Sequence, residues 1–136
     1  MDMRESIQHM KDLRDRAHSG GGAQRIEKQH EKGKYTARER IERLLDEGSF
    51  VEHQTYIRGR ATFFGLEDKR LHGDGVVSGS GLVDGRQVFL SSQDFTVLGG
   101  SLGEQHAARI AEAQNLSIET GTPFIQINDS GGARIQ

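Results

Sequence analysis

The chain has 136 residues, 33% hydrophobic and 6% aromatic, with a formal net charge of -2 and no cysteine. That length makes one domain or a piece of a larger one, the charge excludes the basic excess of a nucleic-acid binder, and the absence of cysteine excludes a disulfide framework, a Cys-based zinc site and a thiol nucleophile. The opening residues MDMRESIQ lack an apolar signal region and no stretch approaches the ~20 apolar residues of a membrane span, so a cytoplasmic protein with no membrane partner is expected.

Met3, Ile7, Met10, Leu13 and Ala17 recur three and four residues apart, which predicts a first helix over Asp2 to His18 with one narrow apolar stripe, ended by Ser19 and Gly20 to Gly22. Residues 23 to 32 are polar around Ile26 and read as a short surface helix before Gly33. Thr36 to Glu39 has the form of a capping box, so a helix follows it, carrying Ile41, Leu44 and Leu45 on one face, with Gly48 as its C-cap. Phe50 to Ile57 reads as extended, and Arg58 to Asp74 as a loop or short excursion.

From Gly75 the pattern turns to strands. Asp84-Gly85 between two β-rich runs predicts a hairpin with a type I′ turn, and Gly79 and Gly81 inside the first run predict a bulge or a close backbone approach. Ser91 to Leu98 begins as strand and ends at Gly99-Gly100. A helix over Leu102 to Thr120 follows, with Ser101 as N-cap, Gly121 as terminator, and Leu102, Ala107, Ile110, Ala111, Gln114 and Ile118 near one face. After Pro123 a buried strand holds Phe124, Ile125 and Ile127. Strand, glycine turn, helix, strand, glycine turn makes a βαβ unit of an α/β fold, whose ligands bind at the carboxyl ends of the strands.

Both glycine turns are therefore candidates. GGSLG (99 to 103) fits neither a GxGxxG fingerprint nor a P-loop; a tight structural turn is its plainer reading and phosphate binding the alternative. DSGGAR (129 to 134) is more pointed. A helix begun by Ala133, Arg134, Ile135 and Gln136 would aim the N–H groups of Gly131, Gly132 and Ala133 at one spot, fit for a phosphate, a carboxylate or an oxyanion. Ser130 lacks the GxSxG elbow and has no histidine near it in sequence, which disfavours a serine hydrolase. Arg134 faces an anion or solvates the helix start, and Asp129 caps its own turn. The six histidines fall at no metal-ligand spacing, and His53, His72 and His106 read as surface or satisfied polar residues.

SSQDFTVLGGSLGEQHAARIAEAQNLSIETGTPFIQINDSGGARIQ resembles the N-terminal carboxyltransferase domain of biotin-dependent acyl-CoA carboxylases, of the propionyl-CoA carboxylase β-chain and transcarboxylase large-subunit type. KYTARERIERLLDEGSFVE and HGDGVVSGSGLVDGRQVFL extend the likeness back to about Tyr35. The related bacterial acetyl-CoA enzymes carry a Cys₄ zinc ribbon, which a chain without cysteine disfavours. The resemblance implies a crotonase-like (ClpP/crotonase) spiral of ββα units, incomplete here. Residues 1–48 would be a helical N-terminal segment and 49–136 the first part of the domain. It implies carboxyl transfer from carboxybiotin to the α-carbon of an acyl-CoA. Gly131, Gly132 and Ala133 would be backbone oxyanion donors, and Gly99, Gly100, Ser101 and Arg134 would contact CoA. Biotin would arrive on a biotin carboxylase or carboxyl-carrier partner, with no metal in this domain and a homo-hexamer for the full-length chain. In the family a second glycine turn further along completes the oxyanion site, so the chain is expected to be an N-terminal fragment, inactive and loosely packed by itself. The rival expectations are a subunit of a sodium-pumping acyl-CoA decarboxylase, a non-catalytic CoA-binding or assembly fragment, and a phosphate-binding module.

Overall fold

The computed structural model describes residues 2–135, with Lys69 in backbone only. Helix α1 (Met3–His18) opens with a capping box between Asp2 and Glu5. Its stripe is mostly in solvent: Met3, Ile7 and Met10 are exposed, and Ala17 is the position it buries. The Gly20 to Gly22 turn then presses on the rest of the protein, since a Cβ on Gly21 would lie 1.8 Å from the Thr96 carbonyl oxygen. Helix α2 (Ala23–Glu31) follows, and α3 (Ala37–Leu44) starts with the expected box: the Thr36 hydroxyl accepts from the Glu39 N–H and the Glu39 carboxylate from the Thr36 N–H. It ends at Leu45, earlier than Gly48, because Leu45 turns extended and buries its side chain over Gly81.

The expected extended stretch after Phe50 shrinks to β1 (Val51–Glu52), since Gln54 turns the chain with φ 52. Arg58 to Asp74 is a loop, pinned by one antiparallel bridge between Arg58 and His72 and containing a 3-10 turn at Glu67–Lys69. Strands β2 (Val76–Val83) and β3 (Arg86–Gln93) form the hairpin, with Asp84 and Gly85 both at positive φ as a type I′ turn requires. The register is unbroken, so Gly79 and Gly81 mark close approach and not a bulge: a Cβ on Gly79 would meet the Val51 carbonyl oxygen at 2.2 Å. Helix α4 (Glu104–Thr120) crosses over, Gly121 ends it in the left-handed conformation, and β4 (Phe124–Ile127) returns parallel to β3. The sheet order is β1-β2-β3-β4. β4 lies at the edge of this sheet and is half-buried, where a buried strand was expected.

The two faces of this sheet differ in chemistry. On one, Val77, Val88 and Leu90 pack with Ala37, Ile41 and Leu45 of the α3 region as an apolar core. On the other lies α4, and its buried positions are His106, Arg109, Ile110, Ala113 and Ser117. This departs from the apolar face read from the sequence: Leu102 and Ile118 of that face are exposed. Arg109 explains the inversion. Its fully buried guanidinium donates to the carbonyls of Gly73, Val76 and His53 and sits 3.4 Å from Glu52. A buried cation with that many acceptors is tolerated where an unpaired one is not.

Candidate active site at the paired glycine turns

The turns at 98–102 and 129–134 leave the carboxyl ends of the parallel strands β3 and β4, and they meet there. The Gly131 N–H donates to the Gly99 carbonyl at 2.9 Å, the Leu102 N–H to the Gly132 carbonyl at 2.9 Å, and the Arg134 N–H to the Leu102 carbonyl at 2.8 Å. Leu98, Gly99 and Gly100 all have positive φ, and a Cβ on Gly100 would lie 2.2 Å from the Asp129 carbonyl oxygen. Glycine at 100 is thus demanded twice, by φ and by space.

A helix start was expected at Ala133. Residues 133 to 135 are not helical; Ala133 forms a parallel bridge with Leu102, and Gln136 lies outside the described residues. The three nominated donors consequently differ. Gly131 is engaged by Gly99, and Gly132 donates to the Ser130 hydroxyl at 3.1 Å. The Ala133 N–H has no hydrogen-bond partner among the described residues. Gly132 holds φ 138, where an L side chain is strained.

Two ion-pair systems hold this turn from either side. Asp129 was expected to cap its own turn. Instead its carboxylate accepts from Lys34 Nζ at 2.7 Å, Arg40 Nη2 at 2.7 Å and Gln29 Nε2 at 2.9 Å, while its N–H donates to Gln93 Oε1. Burial pushes its pKa up, but these hydrogen bonds outweigh it and the carboxyl sits below its ordinary range. On the other side Arg134 finds its anion within the chain: Nη1 donates to Asp74 Oδ1 at 2.8 Å and Nη2 to the Asp74 carbonyl at 3.1 Å. Gly103 leaves room for that guanidinium, since a Cβ there would lie 2.4 Å from Arg134 Nη2. Asp74 Oδ2 also accepts from the His106 N–H, so this carboxylate caps α4. Ser101, nominated as that cap, donates its hydroxyl to the Leu98 carbonyl and leaves Gly103 as N-cap. His106 is fully buried, its Nδ1 3.1 Å from the Asp74 carbonyl; burial lowers its pKa, only partly opposed by that contact. A cavity of about 660 Å3 opens beside Arg134 and Ile135, walled by Phe63, Phe64 and Leu66.

Sequence reasoning passed over Asp74, Gln29, Lys34 and Arg40. Asp74 had a signal: it stands between two glycines, and all three of Gly73, Asp74 and Gly75 take positive φ. The Asp129 partners had none, being 89 to 100 residues away.

The family of the carboxyl transferase domain matches residues 28–136. The chain belongs to the carboxyl transferase family. This carboxyl transferase chain is 53% identical over 134 residues to the propionyl-CoA carboxylase beta chain of Cereibacter sphaeroides, covering 98% of itself and 26% of that relative. It is 51% identical, with the same coverage, to the methylmalonyl-CoA decarboxylase subunit alpha of Veillonella parvula. Among solved structures it is similar to transcarboxylase 12S, a hexamer described with methylmalonyl-coenzyme A bound, at 45% identity and a TM-score of 0.96 over 100% of this chain and 26% of that one. The carboxyl transferase chain thus spans about a quarter of the length of these relatives. Its fold is the crotonase-like α/β fold of its structural neighbours, with β2, β3 and α4 as a ββα unit. Among the described residues no helix is long and apolar enough to cross a membrane.

Proposed function

We propose that the chain is part of the carboxyltransferase component of a biotin-dependent acyl-CoA carboxylase, which moves a carboxyl group from carboxybiotin to the α-carbon of propionyl-CoA in the cytoplasm. The observation that carries this reading is an Ala133 N–H with no partner among the described residues, beside a Gly132 N–H that donates to a serine hydroxyl, in a chain of this family. Bound carboxybiotin, brought by a partner subunit or domain, would supply the carboxyl group and the base for the α-proton. The part of this chain is electrostatic. As the α-proton leaves, charge grows on the thioester oxygen, and backbone N–H groups stabilise it without titrating; one such donor contributes about 3–4 kcal/mol. Release of Ser130 from Gly132 would add a second donor beside Ala133. Gly131 acts through its bond to Gly99, which fixes the turn. Gly99 and Gly100 would let CoA approach the backbone. Arg134 and Ser101, both already bonded within the chain, would shape that approach.

A chimera tests this. Residues 1–136 replace the matching stretch of the Cereibacter sphaeroides beta chain, and carboxylation of propionyl-CoA is followed with the biotin partner present. The chimera should assemble and turn over, and Ala133→Pro should abolish transfer while leaving assembly intact. A correctly assembled chimera without transfer, or one indifferent to Ala133→Pro, overturns the proposal. The likeness to the decarboxylase subunit supports a second reading, the same transfer run in reverse in a decarboxylase assembly; the same chimera made in that subunit separates the two.

A further inference from the structure

A buried polar chain joins the last residue of β3 to the first turn of α4, and backbone groups fix its direction at both ends. At one end the Asp129 N–H donates to Gln93 Oε1 at 3.0 Å. A backbone N–H can only donate, so it holds the oxygen of the Gln93 amide and turns the NH2 group toward His106. Gln93 Nε2 stands 3.5 Å from His106 Nε2. That amide nitrogen carries only donors, so the ring nitrogen facing it must be bare. The ring proton then sits on Nδ1, 3.1 Å from the Asp74 carbonyl, which can only accept. Neutral imidazole protonated at Nδ1 is the form that satisfies every partner. Asp74 closes the circuit, because its Oδ2 accepts from the His106 N–H and its Oδ1 from Arg134 Nη1 at 2.8 Å. Gln93, His106 and Asp74 are all buried. The circuit therefore grips the 129–134 turn at both ends, Asp129 and Arg134, with Ala133 between them.

A second ring proton, on Nε2, would set two donors against each other. The amide can answer only by turning over, which points its NH2 group at the Asp129 N–H. One buried donor then lacks an acceptor whichever way the amide faces. We infer that Gln93 and His106 are positioning residues for carboxyl transfer: with the ring neutral they hold Asp129 where the turn presents the Ala133 N–H, and a protonated ring releases that hold. This assignment rests on the oxyanion reading of the turn. The charged groups around the ring are Asp74 from the loop before β2, Arg134 from the turn after β4 and Arg109 from α4, while β3 contributes the neutral Gln93. Burial lowers the ring's pKa, the Asp74 carbonyl and carboxylate oppose it, and the two guanidiniums add to it, so the ring takes its second proton below the ordinary 6.5.

The chimera described above tests this through kcat and KM for propionyl-CoA, with size analysis of each variant. Gln93→Leu removes both contacts of the amide, and His106→Leu removes the acceptor behind it. Each should lower kcat about tenfold and leave KM within about twofold, since the hold on the turn is lost and no substrate contact is. His106→Gln restores toward Gln93 an acceptor that does not titrate, so it should recover most of the kcat that His106→Leu loses. The kcat of the unsubstituted chimera relative to His106→Gln should fall as pH drops from about 7.5 to about 5, because only the imidazole can take the disruptive proton. That ratio needs neither leucine variant and decides the matter if they do not assemble. A flat ratio, an unchanged kcat in assembled Gln93→Leu, a KM that rises as kcat falls, or no rescue by His106→Gln overturns the relay. If Ala133→Pro still abolishes transfer, any of those results spares the oxyanion reading; if Ala133→Pro transfers normally, both fall together.

Discussion

Asp129→Ala removes the acceptor that ties the 129–134 turn to the N-terminal helical segment. Lys34 is 43% exposed and returns to water, so its share is about 0–1 kcal/mol. Arg40 and Asp129 are 19% and 9% exposed, and a mostly desolvated charge-assisted bond of this kind contributes about 1.5–3 kcal/mol. Gln29 keeps the Tyr35 carbonyl and loses one bond of two, about 1 kcal/mol. The sum is about 2.5–5 kcal/mol, which at a urea slope of about 1.5–2 kcal/mol/M lowers the unfolding midpoint by about 1.3–3.3 M. Acid titration gives an independent reading. The folded-state pKa of Asp129 is depressed, so its contribution is complete above the ordinary value of 3.8 and disappears as pH falls below it through the folded pKa. Wild-type protein should therefore lose its advantage over Asp129→Ala in that acid window and keep it at neutral pH. A midpoint within about 0.3 M of wild type at pH 7 would refute the account of Asp129 as a clamp.

Gly132→Pro in the chimera removes one donor N–H and forces φ from 138 toward the proline value, so transfer should fall by about 10²–10³ in steady-state rate; normal turnover by a folded variant rules the turn out as the oxyanion site. Ser130→Ala should leave transfer within about tenfold of wild type, because the serine only holds the Gly132 N–H; a total loss would point to a serine nucleophile instead. Gly79→Ala should lower stability by about 1–3 kcal/mol in denaturant titration, because the rigid Val51 carbonyl oxygen lies 2.2 Å from the new Cβ. The depressed pKa of buried His106 means that the unfolded chain takes up a proton first as pH falls. Stability should decline as pH drops through the ordinary histidine value of 6.5 toward the folded-state value, and His106→Gln should flatten that slope in thermal melts between pH 7.5 and 5.5.

Local chemistry was legible where it is decided locally. The Thr36-Glu39 box, the Asp84-Gly85 turn and the Gly121 terminator each need only neighbours along the chain, and each stands as read. The crossover from β3 through α4 to β4 followed from their order. What failed depended on distant partners. Arg109 looks like a solvent-facing residue of α4 until the carbonyls of Gly73 and Val76 come within reach. The bridge between Leu102 and Ala133 joins residues 31 apart, a pairing that no periodicity records.

The packing of Gly100 on the Asp129 carbonyl has a consequence for how this site can vary. Neither turn can take a larger residue at that contact unless the other backbone moves with it. Two stretches that read as separate motifs along the chain are therefore one inheritable unit. Random single substitutions should find this corner of the protein almost closed, and recombination between distant relatives should succeed only where the crossover keeps residues 98–102 and 129–134 from the same parent.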